Sequence, residues 1–168
     1  MKYSSTTSEF VEKSVVEWVR RELYPKEWME RKYFLVEQKK GAHAECAAFI
    51  YRYGEVEGRL KWYAAANEKR EQFGSDRRQK DGFDLVGKEG ELIDAKWVPE
   101  YDQIWVTETT HRSSAYTALA GVKFNAAIDE FEIYYISRAE FDAAAKVPQS
   151  DKSKLRVYLS DCRKVDNL

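Results

Sequence analysis

The chain has 168 residues and a mass of 19.7 kDa, a length suited to one domain with a substantial core. Hydrophobic residues make up 43% and charged residues 34%, which excludes a disordered chain, and the absence of any run of about 18 apolar residues excludes a membrane-spanning helix. The formal net charge is -1, so a polyanionic partner would have to be met by a local basic face rather than by overall charge.

Cys46 and Cys162 have neither zinc-ligand spacing nor a disulfide framework, and read as free thiols of a reducing compartment. With only His43 and His111 present, a multi-histidine metal site is nearly excluded. The stretch MKYSSTTSEF has no apolar run after its lysine, so no signal peptide is expected and cytoplasmic residence is the default.

In chain order, a helical pattern runs from Glu9 to about Leu23, with Ser8 as its candidate cap and Phe10, Val11, Val15, Trp18 and Val19 as its apolar stripe. Pro25 ends it. Tyr33 to Val36 reads as a short strand, followed by a Lys39-Lys40-Gly41 turn. Ala44 to Tyr53 fits a helix or a strand, and the helix formers of Arg59 to Gln72 fit a helix. The stretch 42–78 as a whole reads as a possible insert that sets substrate specificity. Phe83 to Val86 and Leu92 to Val98, joined by a Gly87 to Gly90 turn, form a predicted hairpin, and Gln103 to Thr107 a further strand. Ser113 or Ser114 can cap a helix reaching about Ala127. Phe131 to Ile136 is strongly strand-like. Ser137 and Glu140 form a capping box for a helix over 138–145, and Leu155 to Leu159 is a last strand. The expected architecture is a mixed α/β domain with helices flanking a central sheet.

The chemistry concentrates on the hairpin. Side chains alternate along a strand, so Leu92, Asp94 and Lys96 share one face and Ile93, Ala95 and Trp97 the other. Asp84 can join the face of Asp94 across the ladder. Two aspartates brought together repel unless a positive group lies between them. A hard divalent cation such as Mg2+ (or Mn2+) meets that need, since it takes oxygen ligands and is commonly held by one or two carboxylates plus a substrate phosphate. A neighbouring lysine can orient or deprotonate a water, or neutralise charge developing on phosphorus.

Asp84, a gap, and then Asp94-Ala95-Lys96, set in FDLV and ELIDAKWV, resemble the PD-(D/E)xK nuclease superfamily, although Phe83 stands where the family has its proline. The resemblance covers about fifteen residues, with the order of elements that follows also in keeping. It implies a restriction-endonuclease-like fold, Mg2+-dependent hydrolysis of phosphodiester bonds, most readily of DNA, Asp84 and Asp94 as metal ligands and Lys96 as catalytic lysine. It also implies a glutamate on a helix ahead of the sheet, for which Glu12 fits best and Glu9 is the rival. Nucleases of this size often act in pairs, so a homodimer is a further expectation. Two alternatives stand beside it: a non-catalytic binding or assembly module with the same fold, and an RNA-cleaving nuclease.

Arg77, Arg78 and Lys80, with Lys69 and Arg70 before them, are candidate phosphate contacts, the alternative being a solvated face. His111 and Arg112 stand in the hydroxyl-rich stretch TETTHRSS, where a helix start could receive a phosphate. Trp62, Tyr63, Tyr101 and Trp105 are either base-stacking surfaces or core.

Overall fold

The computed structural model describes residues 1–21, 24–73, 82–166 and 168. Ser4 starts the first helix, α1 (Ser5–Arg20), its hydroxyl accepting from the Thr7 amide. The start lies one turn ahead of Ser8, because Ser4 holds the extended backbone that a cap needs. A single-turn α2 (Lys26–Met29) precedes α3 (Phe34–Tyr53) and α4 (Glu55–Phe73). Between α3 and α4 stands Gly54 with φ +87°, a conformation that a side chain would resist.

Strands β1 (Leu85–Val86), β2 (Leu92–Trp97), β4 (Ala118–Phe124), β5 (Phe131–Ser137) and β7 (Arg163–Lys164) lie side by side in that order. Only the β2–β4 pair is parallel. Its crossover contains β3 (Gln103–Thr107) and α5 (Glu108–Ser113). After β5 come α6 (Arg138–Ala144), opened by the expected capping box of Ser137 and Glu140, and β6 (Lys154–Tyr158), which pairs with β3 as a separate two-stranded sheet.

Three layers result, in a mixed α/β arrangement. On one face of the main sheet, Ile93, Ala95, Ala118, Ala120, Val122 and Ile133 pack on α1, α3 and α4 through Val11, Trp18, Ala44, Ala47 and Trp62. On the other face, Leu119 and Ile136 meet Ile104, Val106 and Val157 of the small sheet and Phe141 of α6. Burying a side chain such as Leu or Ile stabilises the fold by roughly 1.5–3 kcal/mol, so the sheet is held from both sides.

Two expectations fail. Tyr33 to Val36 is not a strand: Phe34 opens α3, and only Phe34 of that apolar quartet is buried, against Tyr24. The stretch 113–127 is not a helix but a loop and β4. Five consecutive β4 residues, Ala118 to Val122, are buried, because the strand is covered on both faces and so shows no alternation. Where the stretch 42–78 is described, α3 and α4 pack into the main core.

Candidate active site

Strand β1 is two residues long, and its end shapes the site. Leu85 faces Ile93 across the antiparallel ladder, and the Asp84 amide donates to the Ile93 carbonyl at 2.8 Å. The paired register ends at Leu85, and Asp84 lies just outside it. There the backbone ladder stops and a side chain continues it: the Ala95 amide donates to Asp84 Oδ2 at 2.8 Å. Lys69, reaching over from α4, donates to the Phe83 carbonyl and lies 3.8 Å from Asp84 Oδ1.

Asp94 and Lys96 share the opposite face of β2 from Ile93 and Ala95, as alternation requires. Asp94 is 7% exposed, and its Oδ2 lies 2.8 Å from Lys96 Nζ. Burial by itself would lower the Lys96 pKa. The carboxylates of Asp94 and Asp84, with Glu45 behind them, outweigh burial and hold the ammonium above the ordinary lysine range.

A cleft of about 540 Å³ opens at this point. Asp84, Asp94 and Lys96 form its floor, Gly41 and Glu45 of α3 one wall, and Thr109, Thr110 and Ser113 of α5 the other. Thr107 caps α5 through the Thr110 amide. The α5 wall is fastened by Arg138, whose guanidinium donates to the carbonyls of His111, Ser114 and Tyr116.

The other expected residues divide. Glu12 is not in the cleft: its carboxylate binds Lys39 Nζ at 3.1 Å and lies 3.5 Å from His43 Nε2. Burial works against its charge, yet these two neighbours keep its pKa below the usual range. The glutamate that does line the cleft among the described residues is the half-buried Glu45 of α3. The nearest sign of it in the sequence is AHAECAAFI, where a single acid interrupts a run that is apolar apart from His43; the run does not say which surface that acid meets.

His111 is engaged inside the fold. Its Nε2 lies 2.6 Å from Asp142 Oδ1, and its Nδ1 is hydrogen-bonded to the buried Tyr116 hydroxyl. Burial pushes the Tyr116 phenol up to about 12. Arg112 is exposed and paired with Glu108 one turn back. Arg70 donates to the Tyr24 hydroxyl and stacks on Trp18, so it serves the core. Arg77, Arg78 and Lys80 lie outside the described residues. Of the four aromatic candidates, Trp62 is core and Tyr63 stacks on Trp18, whereas Tyr101 is exposed and Trp105 half-buried.

The donor set suits a hard cation. Among the described residues no three Asp, Glu, His or Cys side chains are drawn close enough together to hold an ion by themselves. An ion such as Mg2+ asks for less, being held by one or two carboxylates with water and phosphate completing the shell. Asp84 and Asp94 are the cleft carboxylates that could serve in this way, with Glu45 on the adjoining wall. The chain matches no protein-family model and no curated protein. No helix among the described residues is long and apolar enough to cross a membrane.

Proposed function

We propose that the protein is a metal-dependent nuclease that hydrolyses phosphodiester bonds in DNA, with a restriction-endonuclease-like core. The observation that carries this reading is the convergence of Asp84, Asp94 and Lys96 in one cleft, with Asp84 held by the Ala95 amide and the amine 2.8 Å from Asp94. An antiparallel β1–β2 pair followed by a parallel β4 also supports the fold assignment.

Asp84 and Asp94 would hold Mg2+ (or Mn2+), with Glu45 in the supporting role first expected of Glu12. The ion supplies Lewis-acid polarisation of the scissile phosphate. Lys96 presents a charged N–H donor to the attacking water and to the anionic phosphorus oxygens. Its pairing with Asp94 fixes the amine before substrate arrives, which lowers the ordering cost of the reaction. The α5 wall offers the Thr109 and Thr110 hydroxyls to the flanking phosphates.

The test is Mg2+-dependent cleavage of duplex DNA, single-stranded DNA and RNA by the parent, Asp94→Ala and Lys96→Ala proteins. Each variant is expected to lose at least about 100-fold in rate. Variants that cut as fast as the parent would overturn the reading. A parent that cuts none of the three, and shows no Mg2+- or Mn2+-dependent thermal shift, would leave a non-catalytic module. Cleavage confined to RNA would make it a ribonuclease.

A further inference from the structure

Beside the cleft lies a second groove of about 560 Å³, and Trp97 lines both. The groove is aromatic, and Lys40 and Lys123 stand in its lining. Phe124 stacks on Trp97 with centroids 4.9 Å apart, and Lys40 Nζ stands 5.7 Å from the Trp97 centroid. Among the described residues Lys40 has no carboxylate partner. Glu100 also lines the groove.

The tight turn after β2 explains how the groove gets its rim. The Asp102 amide donates to the Pro99 carbonyl at 3.1 Å, and Asp102 adopts φ +56°, a left-handed conformation that Asp tolerates better than most residues. The turn puts Tyr101 at its tip with 59% of the residue exposed. Asp102 itself is neutralised by Lys123, 2.7 Å away. Tyr101 meets the edge of Trp105 at 6.1 Å, and Lys154 Nζ lies 5.5 Å from the Trp105 ring. Thus two of the three rings carry an ammonium group: Lys40 at Trp97, and Lys154, which also pairs with Asp151 at 3.4 Å, at Trp105, while Tyr101 meets Trp105.

The Tyr101 ring lies outside both core clusters and leaves most of its area open to solvent. Rings interleaved with cations are what a strand of unpaired nucleotides requires, the bases stacking and the phosphates meeting ammonium groups. A duplex cannot use such rings, because its bases are already stacked. We infer that the surface from Trp97 through Tyr101 to Trp105 is a stacking track for single-stranded DNA leading into the cleft. The inference deepens the nuclease reading and rests on it for the fate of the strand, but binding to the track requires no cleavage.

The experiment uses the full chain without divalent ions and measures binding to labelled oligo-dT, to an abasic strand with the same number of phosphates, and to a duplex of the same length. The parent is expected to prefer oligo-dT to both others. Tyr101→Ala should weaken oligo-dT binding by about fivefold or more, leave abasic binding unchanged, and be rescued by Tyr101→Phe. Because the residue is exposed, its thermal midpoint should not move, which separates a lost contact from a lost fold. Equal affinity of parent and Tyr101→Ala for oligo-dT would overturn the track, as would an equal loss on the abasic strand. Cleavage by Asp94→Ala tests the nuclease reading separately, so either idea can fail alone.

Discussion

At the scale of single residues, Asp84 carries two duties that substitution can separate. Its carboxylate supplies charge to the cleft and also satisfies the Ala95 amide. Asp84→Ala removes both and leaves a buried donor unpaired, at a cost of about 1–3 kcal/mol. Asp84→Asn keeps an acceptor oxygen in place and removes the charge. We therefore expect Asp84→Asn to unfold close to the parent temperature while losing its metal-dependent thermal shift, and Asp84→Ala to lose both. Melting curves with and without Mg2+ check this, and an Asn variant that retains the metal shift contradicts it.

The two glutamates make a second contrast. Glu45→Gln is expected to reduce cleavage at least tenfold with little change in stability, since Glu45 lines the cleft. Glu12→Gln should leave cleavage intact, since Glu12 is spent on Lys39 and His43. Parallel rate measurements on the two variants decide it; the reverse order of effects would restore Glu12 to the site.

At the scale of elements, two glycines set how closely the layers approach. A Cβ on Gly58 of α4 would fall 2.5 Å from the Ile50 Cα of α3, a backbone atom that cannot rotate away. Gly58→Ala should therefore part α3 from α4, at the upper end of the roughly 1–3 kcal/mol typical of overpacking. A Cβ on Gly121 would meet Ile104 Cδ1 at 2.6 Å, a flexible tip, so Gly121→Ala should cost less. Denaturant midpoints for the pair would give that order, and a harmless Gly58→Ala would refute the account.

Elements with a one-sided environment were legible in the sequence. The β2 run LIDAKW alternates because its Asp94 and Lys96 face the cleft, and FEIYYI of β5 is β-branched and aromatic enough to declare itself. What escaped was β4, whose burial on both faces erased the period, and the opening of α3, where Leu35 and Val36 are exposed despite being apolar. The Asp84–Asp94–Lys96 grouping followed from local register, which spans ten or so residues. Glu45 did not, because α3 reaches the cleft through tertiary packing on β2, and no local rule states which helix turn arrives there.

At the scale of the whole molecule, stability should depend on pH through His43. Burial lowers its pKa, against the opposing pull of Glu12 and with the push of Lys39, and its Nδ1 is hydrogen-bonded to the buried Tyr3 hydroxyl at 2.9 Å. An unfolded histidine binds a proton below about pH 6.5, whereas the folded one resists. The unfolded state then holds more protons, so stability falls as pH drops from about 7 toward 5. The lowered pKa of Glu12 acts in the same direction at still lower pH. Thermal midpoints at pH 7.5 and 5.5 should differ in the parent, and by less in His43→Gln. A midpoint that is flat or rises on acidification would refute this.

The short β1 has one more effect. Past Ile93 no strand flanks β2 on its β1 side among the described residues; a carboxylate occupies the Ala95 amide instead. Bare sheet margins recruit foreign strands, and natural proteins deter this with inward-pointing charge. The acids and the amine therefore also act as a guard against fibril growth. Replacing all three with leucine should yield a chain that scatters light and seeds aggregates, even where its secondary structure survives.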